Sequence, residues 1–220
     1  MNHYLKPLIF FLSFLLIFSL PVFGIDASRE LENQRIEFIK SSLDTQEIAY
    51  EERSLFTNQG GFGKSIHIVY SPVNANAENL QEQLVLAVPL STQNDTEEIE
   101  RFDIKTALYI AEQLKHTVPA MHVRIAFLGD EYSSLPEDVT NIKNIGLSDL
   151  LSLYDTPENV IVCYLDLPFA PGALNIHHGS QGIVAPLNIV EPLTDAFEKT
   201  SIPYSLYIKF NELYKLSLIQ

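Results

Sequence analysis

Residues 102–131 join two periodicities without a break. FDIKTALYIAEQLKH puts Ala107, Leu108, Ala111 and Leu114 on one face of a helix. HVRIAFLG then alternates Val123, Ile125 and Phe127 as a strand does. A one-faced helix leading into a buried strand is stable only when it packs on a sheet, so the chain must layer helices on strands. Asp103 stands at the helix start, where a short carboxylate satisfies free amide donors and the positive end of the dipole. Asp130 and Glu131 close the strand. Carboxylates at helix starts and strand carboxyl ends occupy the edge that open α/β sheets use for their sites.

The same alternation continues on both sides. Ser65–Tyr70, Gln83–Leu90, Met121–Leu128 and Val160–Leu167 read as strands of one sheet, and the apolar run that follows Gln83 up to Leu90 suits a strand covered on both faces. Helices are expected over 25–43, 103–116, Ser148–Tyr154 and, starting near Pro192, up to Lys199; Pro203–Phe210 reads as a further strand. The fold class is therefore α/β, a three-layer sandwich with a mostly parallel, mixed sheet and helices on both faces. Residues 47–63 are polar and end in Gln-Gly-Gly-Phe-Gly, which reads as a loop; these glycines lack the spacing of a dinucleotide loop. Residues 168–182 read as irregular. His67 is expected at the surface or an edge, and Cys163, the single cysteine, in the core.

At 220 residues and 46% hydrophobic content, one sizeable domain over 25–220 is expected. The net charge of −14 opposes nucleic acid and anionic lipid surfaces. A peptide or protein partner is expected, and cationic peptides or metal ions are the electrostatically easier ones. The first 24 residues hold one charged side chain, Lys6, ahead of the apolar run Leu8–Leu20, with Val22 and Gly24 at the junction. That is the pattern of a signal peptide cleaved near Gly24, so the chain is expected to be exported, periplasmic or secreted.

Asp103, Glu131 and Asp166 should converge on one sheet edge, where oxygen ligands from separate loops hold divalent cations and a carboxylate activates water. Each also has a plainer reading: Asp103 as a helix cap, Glu131 as a solvated strand end, Asp166 as a turn residue. The order of the pieces from Ser65 to Phe210 resembles the two-zinc exopeptidases of the aminopeptidase Y and glutaminyl cyclase type. Val85–Ser91 is similar to that family's apolar strand, Asp103–Leu108 to its helix start, Phe127–Tyr132 to its Glu-Glu strand end and Ile161–Leu167 to its following strand. The resemblance implies a zinc-exopeptidase-like fold, with Asp103 as the metal-bridging ligand, Asp166 as a single-metal ligand and Glu131 as general base. A match shifted by one would make Asp130 the base and Glu131 a ligand.

The chain departs from the pattern at several positions. Pro89-Leu90-Ser91 stands where the family has His-x-Asp, Tyr132 replaces the second Glu, and nothing after Phe210 supplies the final His. The resemblance thus implies a domain incomplete at its C-terminus, without the family's closing elements. His177 or His178 is a substitute imidazole ligand, though adjacent residues of an extended segment point apart. Three readings stay open: a domain without peptidase activity that acts as a binding or interaction module and needs no cofactor; an active exopeptidase or related amide hydrolase using an altered site, with zinc; or a shortened remnant without function.

Overall fold

The computed structural model describes residues 29–56, 62–72, 83–92, 97–131, 145–154, 160–167, 174–180, 183–184, 187–201 and 203–209. They fall in two compact units, Met1–Phe169 and Ala170–Gln220. The first unit runs α1 (29–45), β1 (Glu51–Phe56), β2 (Phe62–Tyr70), β3 (Gln83–Pro89), α2 (Phe102–Lys115), β4 (His122–Leu128), α3 (Ile145–Leu151) and β5 (Val160–Tyr164). The second runs β6 (Leu174–Ser180), β7 (Ile183–Val184), α4 (Leu187–Lys199) and β8 (Tyr204–Lys209). The expected signal peptide and the positions of Tyr132 and of the segment after Lys209 lie outside the described residues. No helix among the described residues is long and apolar enough to cross a membrane.

The four strands expected to share a sheet do so, in the order β1-β2-β4-β3-β5. The sheet is mixed: β3 pairs in parallel with β4 and β5, while β2 runs antiparallel to both β1 and β4. Helices α1 and α2 cover one face. There Ile36, Ile39 and Leu43 of α1 and Ile104, Ala107, Leu108 and Ala111 of α2 meet Ile66 and Ile68 of β2, Val88 of β3, and Ile125 and Phe127 of β4. Alternation sends Val85, Ala87, Ala126 and Leu128 to the opposite face, where Leu150 of α3 joins them. Each fully buried Ile or Phe on these faces contributes about 1.5–3 kcal/mol of burial.

Several expectations are corrected. Residues 51–56 form a strand despite their polarity. β1 is an edge strand, and its charges are met by neighbours: Glu52 pairs with Lys64 at 2.6 Å and Lys40 at 3.1 Å, and Arg53 with Asp149 at 3.1 Å. Part of the segment read as irregular is strand β6, which holds His177 and is bulged between His177 and Gly179. Helix α4 begins at Leu187 and carries Pro192 in its second turn. Proline has no amide to donate, so the helix forgoes one i→i−4 bond at that turn. Cys163 is exposed on β5, because β5 is the other edge of the sheet.

His67 is buried. Its Nδ1 lies 3.1 Å from an Arg124 guanidinium nitrogen and its Nε2 3.1 Å from Ser65 Oγ. Arginine only donates, so Nδ1 accepts and the ring stays neutral with Nε2–H facing the serine. Desolvation, aided by Arg124 and Arg53, lowers its pKa to about 4.

Candidate functional site

Parallel pairing aligns the carboxyl ends of three strands. Pro89 is in register with Leu128, and Ala87 with both Ala126 and Tyr164. The segments leaving these strands, with Ser91, Asp130-Glu131 and Asp166, therefore emerge at one sheet edge, as the sequence leads one to expect. The exit of β5 ties the edge together. Tyr164 donates to Glu131, Asp166 approaches Arg101, and the Leu167 amide donates to Asp103.

Asp103 is fully buried in the first turn of α2. Its Oδ1 accepts from Arg101 Nε at 3.1 Å and from the Ile104 amide at 2.8 Å. Its Oδ2 accepts from Arg101 Nη2 and, at 3.0 Å, from the Leu167 amide. The Asp103 amide returns a bond to the Leu167 carbonyl at 3.1 Å, so the start of α2 and the end of β5 are clamped in both directions. Arg101, itself fully buried, lies 3.8 Å from Asp166, whose side chain is partly exposed.

Glu131 is also buried. Its Oε1 accepts from the Leu147 amide at 2.7 Å and its Oε2 from the Tyr164 hydroxyl at 3.0 Å. Burial raises its pKa above the usual carboxylate range, against the lowering effect of these donors and the Gly146 amide. Glycine at 146 is what lets α3 come this close: a Cβ there would stand 2.6 Å from the Gly129 carbonyl oxygen and 3.0 Å from Glu131 Oε1.

Asp130 takes a left-handed backbone with φ of 53°, a region that Asp tolerates better than most residues. Gly63 makes room for it, since a Cβ at 63 would fall 1.8 Å from Asp130 Oδ2. The Asp130 amide donates to Glu32 Oε2 at 3.3 Å. Glu32 reaches this edge from α1 and is buried, which raises its pKa to about 7; Asp130 adds to the rise, while hydrogen bonds from Ser91 and the Asp130 amide oppose it. One turn on, Arg35 is buried too and donates to the carbonyls of Leu90 and Glu98.

The structure thus joins Asp103 and Asp166 through Arg101, and Asp166's neighbour Tyr164 to Glu131. His177 and His178 are placed on β6 in the second unit, with His177 opposite Tyr207 of β8. Sequence reasoning missed Arg101, Glu32 and Arg35. One signal for Arg101 was available: it is the single Lys or Arg between Lys64 and Lys105, and it follows an acidic run. Among the described residues, no group of three or more His, Cys, Asp and Glu is arranged to hold a metal ion.

The model of the first domain of the TP_0564 family matches residues 58–220. The chain belongs to the TP_0564 family. No curated protein is matched by it. Among solved structures, this TP_0564-family chain is similar to a Zn-dependent exopeptidase from Parabacteroides distasonis, at 16% identity and a TM-score of 0.57, over 88% of this chain and 80% of that one. It is also similar to a leucine aminopeptidase precursor from Bacteroides thetaiotaomicron, at 13% identity and a TM-score of 0.56, over 85% and 77%. A glutaminyl cyclase of the same organism, bound to N-acetylhistamine, aligns at 12% identity and a TM-score of 0.53, over 84% and 77%. At these identities the likeness is one of fold. The TP_0564-family chain has the α/β architecture shared by zinc exopeptidases and glutaminyl cyclases, as the order of its motifs implies.

Proposed function

We propose that this chain is an exported domain of zinc-exopeptidase fold that does not hydrolyse peptides and acts as a binding module for a peptide or protein. Glu131 carries the reading. A general base on a metal-bound water must turn a free lone pair toward an open site. Here Glu131 has no solvent exposure, and its oxygens accept bonds from the α3 amide of Leu147 and from Tyr164, so its remaining lone pairs are held inside the protein and not turned toward an open site. Pro89, Leu90 and Ser91, in place of His-x-Asp, support the same reading, since none brings the imidazole and carboxylate ligands that zinc prefers. The charge of −14 suits a neutral or basic peptide better than nucleic acid or an anionic membrane.

A panel of aminoacyl substrates, with zinc, manganese or cobalt added, tests this. Turnover is expected at the level of the buffer blank for both the wild type and Glu131→Gln. Metal-dependent turnover in the wild type that Glu131→Gln abolishes overturns the proposal in favour of an active hydrolase. Export has its own check. The exported chain is expected to begin at Ile25 on N-terminal sequencing, and a chain that still begins at Met1 would mean an uncleaved anchor.

A further inference from the structure

We infer that Arg101 is the resident cation of this sheet edge: its guanidinium takes the place that a divalent ion would hold between Asp103 and Asp166, so that the carboxylates present do not fit a zinc site. The argument starts from the capacity of a carboxylate. Two oxygens offer about four lone-pair positions. At Asp103 all four are taken, by Arg101 Nε and the Ile104 amide on Oδ1, and by Arg101 Nη2 and the Leu167 amide on Oδ2. A metal could bind Asp103 only by displacing the guanidinium.

Burial points the same way. Arg101 has no solvent exposure, and a buried guanidinium must have its donors met, most strongly by a carboxylate that meets its fork in two-pronged fashion. Asp103 supplies that geometry, and Asp166, at 3.8 Å, adds a second negative charge. Arginine stays protonated at any pH a protein meets, so this positive charge depends neither on pH nor on metal supply. The guanidinium also does mechanical work: through Asp103 it helps to fix the Leu167 amide, and with it the exit of β5.

This inference shares with the proposed function the denial of a metal centre, but it is tested by stability and not by turnover. Thermal unfolding of the full chain is compared for wild type, Arg101→Ala, Arg101→Lys and the Arg101→Ala/Asp103→Asn double variant, each with EDTA, zinc or manganese. The wild type should not respond to any of them. Arg101→Ala should melt about 10 °C lower, because a buried carboxylate loses its partner. Zinc or manganese should restore part of that loss, since Asp103 and Asp166 then face a vacant position. The double variant should show no restoration. Arg101→Lys should fall between wild type and alanine, because lysine keeps the charge and loses the fork.

Zinc that raises the wild-type midpoint overturns the inference, as does an Arg101→Ala variant that melts with the wild type. An alanine variant that melts lower and gains nothing from either ion also overturns it, leaving an ordinary ion pair. If the alanine variant does not fold in EDTA, folding that returns with zinc or manganese supports the inference, and failure to return overturns it. Peptidase turnover in the wild type would sink the proposed function while leaving these melting curves to decide the role of Arg101.

Discussion

Arg35→Met should lower stability by about 2–4 kcal/mol, although methionine keeps much of the arginine stem. The substitution deletes the donors that hold the Leu90 carbonyl and, at 2.8 and 3.1 Å, the Glu98 carbonyl. A buried acceptor left without a partner costs about 1–3 kcal/mol, and bonds from a charged donor lie at the strong end of the range. For a domain of this size the midpoint should fall by about 5–15 °C. Lys40→Met on the same helix is the control. Its pairs with Glu37 and Glu52 are surface pairs, worth about 0–1 kcal/mol. If the two variants melt together, α1 is held by its apolar stripe alone and the guanidinium does not secure Leu90 and Glu98.

Relative to the wild type, Glu32→Gln should lose stability as pH falls from 6.5 to 4.5. Two buried groups titrate with opposite signs. His67, lowered from 6.5 to about 4, stabilises the folded chain above pH 6.5, and that contribution is lost as pH falls toward 4. Glu32, raised from 4.5 to about 7, stabilises below pH 4.5, and that contribution is lost as pH rises through 7. Between pH 4.5 and 6.5 the slopes cancel, each about 1.4 kcal/mol per pH unit. With Glu32 removed, the His67 slope loses this opposing partner, and about 3 kcal/mol should disappear relative to the wild type between pH 6.5 and 4.5. His67→Gln should show the reverse, gaining relative stability on acidification. Asp130 and Glu131, both raised by burial, add to the Glu32 sign. Subtracting the wild-type curve removes every group common to both chains. Parallel curves for wild type and Glu32→Gln would show that Glu32 does not retain its proton in the folded state.

What the sequence revealed of this fold followed where periodicity was clean. β3 is apolar from Leu84 on, β4 alternates Val123, Ile125 and Phe127, and α2 carries its stripe of Ile104, Ala107, Leu108 and Ala111 unbroken. Helix α1 is different. Its buried face runs through Glu32, Arg35, Ile36, Ile39 and Leu43, so charged residues interrupt the apolar count at its first turns. β1 was obscured for the same reason: Glu51, Glu52 and Arg53 read as a loop until their partners on α1, β2 and α3 are known. His67 was misplaced because its burial depends on Arg124, which lies 57 residues away. At the site, the order of Asp103, Glu131 and Asp166 was enough to bring them to one edge. Arg101 was not legible, because an arginine before a helix reads as a solvated loop end, and only the folded carboxylate two residues on gives it a reason to be buried.

The charged edge strand bears on how this protein meets copies of itself. An outer strand offers a free ladder of amides and carbonyls that another chain can extend, which is the first step toward fibres. At β1, such an intruder would have to dehydrate Glu51 and Ser54 and compete with Lys40 and Lys64 for Glu52. Ionic occupancy therefore acts as a gatekeeper against lateral growth, and its strength should fade as salt screens those pairs. In concentrated brine, this margin of the sheet becomes the more adhesive one.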